Sequence, residues 1–457
     1  MTSKRFLIGN AAGFSGDRVD AALPVVRTLI SRGLPSALFF EVLGERTVAL
    51  AQMARNADAD KGFEPMLDRL LAPVLGLCLE HGIPIIGNFG GANPQGAARR
   101  IAALAKELGL RPVKVGIVEG DDVRGLPLET YPVFEADAGI DTHGGDIIAA
   151  NAYLDAQPIV AALRGGADVV VTGRTGDPSL ALAPLIWHFG WSAEDWDKLA
   201  VGAVAGHLLE CGAQLAGGVF FDPGYKDIPD PANIGFPIAE VEADGGLVVT
   251  KADDTGGRVS VASVTEQLLY EVHDPSRYVT PDVTVDMTAI TLEEIAPDRV
   301  RVDGIAGQPR PEDLKVTISH DGGWLGEGEV SVAGPNCRAR AMAMADALRE
   351  RLRIRQLAVR SRIDLIGMGA VHDNDAGDLT RAHAGPEPVE VRVRIAAAGP
   401  HQEDVDQAAR EALAMLCCGP AGTGGARWHT TRRVATRSCL VPRRDVPAQA
   451  RFLEEQA

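Results

Sequence analysis

The feature that most constrains this chain is a recurring unit: a short apolar strand, a glycine- or asparagine-bearing turn, then a helix-forming stretch. The clearest copy is residues 168–179, DVVVTGRTGDPS. Val169, Val170 and Val171 are β-branched and bounded by turn signals, which predicts a strand buried on both faces. Thr172-Gly173-Arg174-Thr175-Gly176 follows, and Asp177 is placed to cap a helix opening at Pro178. The unit recurs at 5–8 before Gly9-Asn10, at 37–40 before Glu41, at 83–86 before Gly87-Asn88, and at 113–118 before Glu119. Strands alternating with helices in this way mean a parallel sheet with right-handed crossovers.

Within that frame Asp17 and Gly33 read as the start and stop of one helix, and Asn93 with Pro94 opens another that ends at Gly109. A longer helix is expected over 64–80. Beyond residue 220 the texture changes. A hairpin is expected over 240–251 around Asp244-Gly245-Gly246, with strands at 300–305, 314–320, 363–366, 389–395 and 432–440. Helices are expected at 336–352 and 403–415, and a frayed tail from 447. The fold class is therefore α/β. A parallel-sheet, Rossmann-like layered domain with helices on both faces spans 1–280, and a smaller α+β domain spans 281–457.

Composition narrows the function classes. The chain has 457 residues, and its charge of 45 − 62 = −17 argues against nucleic acid and anionic membrane surfaces as partners. The cysteines are scattered without a C-x-x-C pair, so reduced thiols in a cytoplasm are expected. The N-terminus enters a strand directly, with no signal peptide. The most apolar window, 199–221, carries His207, Glu210 and Gln214 and so does not read as a membrane span. A cytoplasmic homo-oligomer is expected.

In open α/β sheets, ligands are met at the carboxyl ends of the strands. The candidate substrate-binding set is therefore Asn10, Ser15, Asn88, Asn93, Glu119, Asp121, Arg174 and Thr175. Arg174 is a permanently charged fork suited to a carboxylate or phosphate; the alternative is that it pairs with an acid of the chain. LIGNAAG at 7–13 and IIGNFGG at 85–91 echo each other, and their asparagines can orient a carbonyl; alternatively, Gly-Asn is simply turn chemistry.

His207, Glu210, Cys211 and Gln214 fall at i, i+3, i+4 and i+7, one polar stripe on an apolar helix, with Gly202 and Gly206 leaving room for a close neighbour. His207 with Glu210 can act as an acid/base pair, or be a satisfied core pair. Asp146 and Asp177 are assisting catalytic candidates. Asp146 closes the cluster Asp141, His143, Asp146, with a helix-like stretch after it. No metal motif is present, and a divalent metal stays an alternative.

Gly9, Gly13 and Gly16 do not match the dinucleotide fingerprint, and neither a P-loop nor a G-x-S-x-G elbow occurs. Gly422, Gly424 and Gly425 with Arg427 form a weak candidate anion nest for a cofactor, or else a flexible connection. No cofactor is expected.

The stretches GNAAGFSGDRVDAA, GANPQGAARRIA, VEGDDV, GGDIIAANAYL, VTGRTGDPSLALAPL, AGHLLECGAQLAGG, DPGYKDIPD, TEQLLYEVHDP, LKVTI, GEGE and GPAGTGG together resemble the acyclic terpene utilisation (AtuA-like) family over 9–425. The resemblance implies a role in breakdown of branched terpenoid acids through acyl-CoA thioesters, and transfers no catalytic residues. Longer relatives carry a small ferredoxin-like C-terminal module that this chain lacks, which suggests a separate partner subunit. Two functions follow as expectations. One is a hydratase or lyase acting on a branched acid or its CoA thioester. The other is a non-catalytic acyl-CoA-binding scaffold working with that small partner. A nucleotide-dependent enzyme is a third, resting only on the glycine loops.

Overall fold

Alternate residues of the expected strands face two separate cores. The computed structural model describes residues 4–133, 146–382 and 385–454. The strands are β1 (Arg5–Asn10), β2 (Ser36–Phe40), β3 (Ile85–Gly87), β4 (Val115–Glu119), β5 (Ile147–Ala152), β6 (Val169–Thr172), β7 (Pro237–Glu242) and β8 (Leu247–Lys251). Phe6, Ile8, Phe39, Ile86 and Val170 enter one core; Leu7, Leu38, Phe40, Ile85, Val169 and Val171 enter the other. Such period-two alternation, with both faces covered, is what a central strand requires.

The helices of this part are α1 (Ala22–Arg32), α2 (Glu45–Ala57), α3 (Leu67–Leu71), α4 (Leu75–His81), α5 (Pro94–Glu107), α6 (Gln157–Arg164), α7 (Ser179–Phe189) and α8 (Trp196–Glu210). Residues of α1, α3, α4 and α5 pack on one face of the sheet, and residues of α6, α7 and α8 on the other.

The sheet is mixed rather than wholly parallel. Its order is Thr291–Ala296, Arg299–Asp303, β8, β7, β1, β2, β3, β6, β4, Gln449–Phe452. The five strands β1, β2, β3, β6 and β4 are parallel neighbours. The hairpin β7–β8 joins β1 antiparallel, and Gln449–Phe452 closes the other edge antiparallel to β4. The C-terminal stretch expected to fray is thus an edge strand.

Two compact units emerge, and residue 280 lies inside the first of them rather than at a boundary. The first holds 4–133, 147–319 and 436–454; the second holds 146, 320–382 and 385–435. In the second, Arg360–Ile366, Glu390–Gly399, the C-terminal part of Asp313–Ala333 and the N-terminal part of Thr423–Pro442 form a sheet, with Cys337–Arg355 and Gln402–Cys418 as its helices. Its core holds Val330, Val332, Met344, Leu348, Val391 and Val393.

Several local expectations are corrected. Asp17 does not cap α1, which begins at Ala22; its carboxylate instead accepts the Gly13 and Arg18 amides and closes the turn after β1. The helix expected over 64–80 is two helices, α3 and α4, because Pro73 between them cannot donate to the ladder and clashes with the preceding turn. The stretch after Asp146, read as helix-like, is strand β5.

Candidate active site

Because five neighbouring strands are parallel, their carboxyl ends share one edge, and the turns leaving them are bonded to one another. Asn88, after β3, is fully buried; its Oδ1 accepts the Val42 amide at 2.7 Å and its Nδ2 donates to Glu41 Oε1 at 2.7 Å, both in the turn after β2. Arg174, after β6, donates from Nη1 to the Leu43 carbonyl at 2.6 Å in that same turn. Asp121, after β4, accepts the Arg174 amide and Asn151 Nδ2, each at 2.8 Å. A Cβ on Gly173 would lie 2.4 Å from Asp121 Oδ1, so this position must stay side-chain-free. Burial pushes the Asp121 carboxyl up to about 6.

Helix α8 completes the edge. A Cβ on Gly206 would fall 2.6 Å from the Pro178 Cα, and one on Gly13 would fall 2.6 Å from the Cys211 carbonyl carbon. Backbone therefore touches backbone where α8 crosses the turns after β6 and β1.

A charge cluster sits at this junction. Arg174 is only 3% exposed. Its Nη1 bonds Asp177 Oδ1 at 2.5 Å, with Glu45 at 3.8 Å and Glu41 at 3.9 Å, and the guanidinium lies 4.2 Å from the Tyr153 ring centroid. The fork is thus satisfied by acids of the chain, and only Nε–H is buried without a partner. Burial opposes the Arg174 charge, but the surrounding anions hold its pKa well above the ordinary value. Glu45 also accepts from the Tyr153 hydroxyl. Although burial pushes its carboxyl up, Arg174, Tyr153 and Lys315 bring it down to about 2.

Beside this cluster stands a histidine–carboxyl pair. His207 is 1% exposed; its Nε2 lies 3.1 Å from the Leu268 carbonyl, so that nitrogen carries a proton and donates. Its Nδ1 meets Glu210 Oε1 at 3.1 Å and the Tyr278 hydroxyl at 3.4 Å. Both ring nitrogens are therefore engaged. Burial pushes the imidazole down, and the Glu210 hydrogen bond and charge more than restore it, leaving it raised. Burial pushes Glu210 up to about 7, aided by Asp177 and Glu271 and opposed by His207. The Asp177 charge bears on Glu41, Glu210 and Tyr278 alike, which ties the pair to the arginine cluster.

The unmet atoms are as informative as the bonds. Asn10 Oδ1, Arg174 Nε, Thr175 Oγ1, Glu210 Oε2 and Gln214 Oε1 are buried without a partner. Native interiors leave few such groups, and a functional cleft is one setting that keeps them.

Of the residues expected from sequence, Asn88, Asp121, Arg174, Asp177, His207 and Glu210 are brought together here, while Asn10 and Thr175 lie buried at the ends of β1 and β6. Others do not serve as expected. Asn93 is consumed structurally: it caps α5 through the Gly96 amide and ties down the Ala59 and Lys61 carbonyls. Glu119 turns to Gln95 Nε2 at 3.0 Å and toward Arg451 on the edge strand. Ser15 stands beside the buried Glu64 carboxyl. Asp177 serves Arg174 rather than capping α7, whose N-cap is Pro178. Asp146 is exposed in the second unit, its carbonyl accepting the Asp321 amide at 3.3 Å. Asp141 and His143 lie outside the described residues.

The late glycine loop also reads differently. Gly424 and Gly425 lie within strand Thr423–Pro442, the Gly422 carbonyl accepts the Ala333 amide, and Arg427 pairs with Glu329 at 2.9 Å. Ladder bonding and an ion pair replace the nest. Among the described residues no group of three His, Cys, Asp or Glu side chains is placed to hold a metal, and no helix is long and apolar enough to cross a membrane.

Sequence reasoning missed Glu41, Glu45, Tyr153 and Tyr278. Glu41 and Tyr153 follow β2 and β5 directly, so the strand-end rule that selected Asp121 also reaches them; Glu45 opens α2 at the far end of the turn after β2, and Tyr278 has no local signal. Compared with known proteins, the chain matches the acyclic terpene utilisation family protein AtuA over residues 6–452. No curated protein and no solved structure matches it.

Proposed function

The chain belongs to the acyclic terpene utilisation family, and on that premise we propose that it is an enzyme of the hydratase or lyase type acting on a branched acid or its CoA thioester. The observation that carries this reading is Glu210: one oxygen is held by His207, the other is buried and unpartnered, and burial keeps the carboxyl near neutrality. A carboxylate so tuned can take a proton from the carbon next to a thioester carbonyl and return it.

In this reading His207 is a positioning residue. Its Nε2 is committed to the Leu268 carbonyl and its Nδ1 to Glu210, so it fixes the carboxyl and shares its proton without meeting substrate. The buried Arg174 Nε–H is a preorganised donor suited to the oxyanion that develops as the proton leaves. Arg174 holds the turn and offers that single donor, rather than clamping a substrate carboxylate with its fork.

The test is deuterium incorporation at the α-carbon of a methyl-branched acyl-CoA in D2O, followed by mass spectrometry. The wild-type chain exchanges, and a folded Glu210→Gln variant is slower by about 10²-fold or more. Equal rates would overturn the reading. Binding of the thioester without exchange would favour the scaffold subunit working with a small partner.

A further inference from the structure

We propose that Glu41 is the proton donor of this site, the counterpart of Glu210; the proposal rests on the acid/base reading above. Glu41 follows β2 and is 8% exposed. Its Oε1 accepts two N–H bonds, from the Leu43 amide at 3.0 Å and from Asn88 Nδ2 at 2.7 Å. The Asn88 amide is held in that orientation because its own Oδ1 accepts the Val42 amide. With both donors on Oε1, a proton on this carboxyl belongs on Oε2.

Competition for a single cation decides whether that proton is present. The nearest cation to Glu41 is Arg174 Nη1 at 3.9 Å, and this nitrogen is already spent on Asp177 Oδ1 at 2.5 Å and the Leu43 carbonyl at 2.6 Å. Glu45, the third carboxylate around the guanidinium, has Tyr153 and Lys315 as well. Glu41 is thus the one member of the set that is buried, hydrogen-bonded only by neutral groups, and outcompeted for charge. A buried carboxyl in that position is cheaper neutral than ionised. Burial and the Asp177 charge push it up to about 8, against the pull of Arg174 and Asn88. The Glu41 amide donates to the Ala12 carbonyl at 3.0 Å, and the next residue, Gly13, abuts the Cys211 backbone, so Glu41 lies toward the end of α8 where the base stands.

The step balances without a further reagent. Glu210 Oε2 takes the proton from the α-carbon of a β-hydroxyacyl thioester, and the C–H electron pair becomes the new carbon–carbon double bond. The β-carbon–oxygen bond breaks, and the Glu41 Oε2 proton goes to the departing hydroxyl, which leaves as water. Glu210 ends protonated and Glu41 ionised, and a proton passed between them through solvent resets the site. Run backwards, the same steps hydrate the enoyl thioester.

The test has two readouts. Infrared difference spectra between neutral and alkaline pH report the carbonyl stretch of a protonated carboxyl; the wild-type protein shows a band that Glu41→Gln removes and Glu210→Gln leaves. Asp177→Asn, which frees Arg174 for Glu41, moves the loss of that band to lower pH; made in a Glu210→Gln background, where Glu210 no longer titrates, it serves if Glu41→Gln does not fold. In turnover, Glu41→Gln slows dehydration by about 10²-fold, and raises the ratio of α-proton exchange to dehydration by roughly tenfold or more. A wild-type spectrum that Glu41→Gln leaves unchanged, no band at neutral pH, or dehydration by Glu41→Gln at the wild-type rate would each overturn the proposal. Absence of exchange in the wild-type protein would overturn the acid/base reading itself, whereas the component of the band lost in Glu41→Gln reports Glu41 alone.

Discussion

Gly206→Ala isolates the contact that seats α8 on the turn after β6. In the middle of a helix, alanine in place of glycine ordinarily stabilises by roughly 0.5–1 kcal/mol, through backbone entropy. Here the added methyl would stand 2.6 Å from the Pro178 Cα and 2.7 Å from its carbonyl oxygen, and backbone cannot swing aside as a side chain can. Overpacking of this kind costs about 1–3 kcal/mol. The two terms oppose; with backbone on both sides the second wins, for a net loss of up to about 2.5 kcal/mol in urea unfolding. Gly202→Ala is the matched control on the same helix. Its methyl would meet Leu182 Cδ1 at 2.4 Å and Leu185 Cδ1 at 3.3 Å, the mobile ends of side chains, so it costs less. Because the shift moves Glu210 relative to Arg174, Gly206→Ala also lowers turnover more than its stability loss explains. A Gly206→Ala protein at least as stable as wild type would refute the backbone contact, and with it the placement of the histidine–carboxyl pair beside Arg174.

Other outcomes follow from the same geometry. Asp121→Ala strands the Arg174 amide and Asn151 Nδ2 without an acceptor, and lowers unfolding stability by about 2–4 kcal/mol in a denaturant titration. Glu41 has a folded pKa raised from its ordinary 4.5 to about 8, so its contribution is fully present below 4.5 and is lost as pH rises toward 8; urea midpoints at pH 5 and pH 8 therefore converge in Glu41→Gln relative to wild type. Val219 is β-branched, 83% exposed and held at φ 61°, a left-handed backbone that asparagine tolerates better, so Val219→Asn raises stability by about 1 kcal/mol in the same assay. Arg427→Ala removes only an exposed ion pair with Glu329, and shifts stability by no more than about 0.5 kcal/mol.

The layered sheet was legible because β-branched runs bounded by glycine have few other readings. Val169–Thr172 and Ile85–Gly87 formed as strands where the sequence placed them, and Asn93 with Pro94 opened α5. Where the reading failed, a local rule met a tertiary demand. The Asp17 carboxylate was needed by the turn after β1, so α1 started five residues later. The small residues of IIAANA suit helix and strand alike, and pairing with Asp313–Ala333 made β5 a strand. Short edge strands such as Gln449–Phe452 carry too few residues to show a period.

The candidate site was half legible. Strand-end position placed Asn88, Asp121 and Arg174 in turns that bond one another, and helical spacing paired His207 with Glu210. The partners of Arg174 were not visible, since pairing with Asp177 or with a distant acid leaves the same residues in the chain. Glu41 stands after β2 as Glu119 stands at the end of β4, and strand-end position alone does not separate a buried acid from a solvated one. Only burial, and the loss of Arg174 to Asp177, gives Glu41 a different character.

The proposed working atom is Glu210 Oε2, among the turns after β1, β2, β4 and β6. A crystal structure of the Glu210→Gln chain with a branched β-hydroxyacyl thioester decides whether it is. The α-carbon of the ligand is expected beside the residue 210 side chain, with the thioester oxygen within hydrogen-bond distance of Arg174 Nε. A ligand bound elsewhere, with these two atoms still unpartnered, would contradict it.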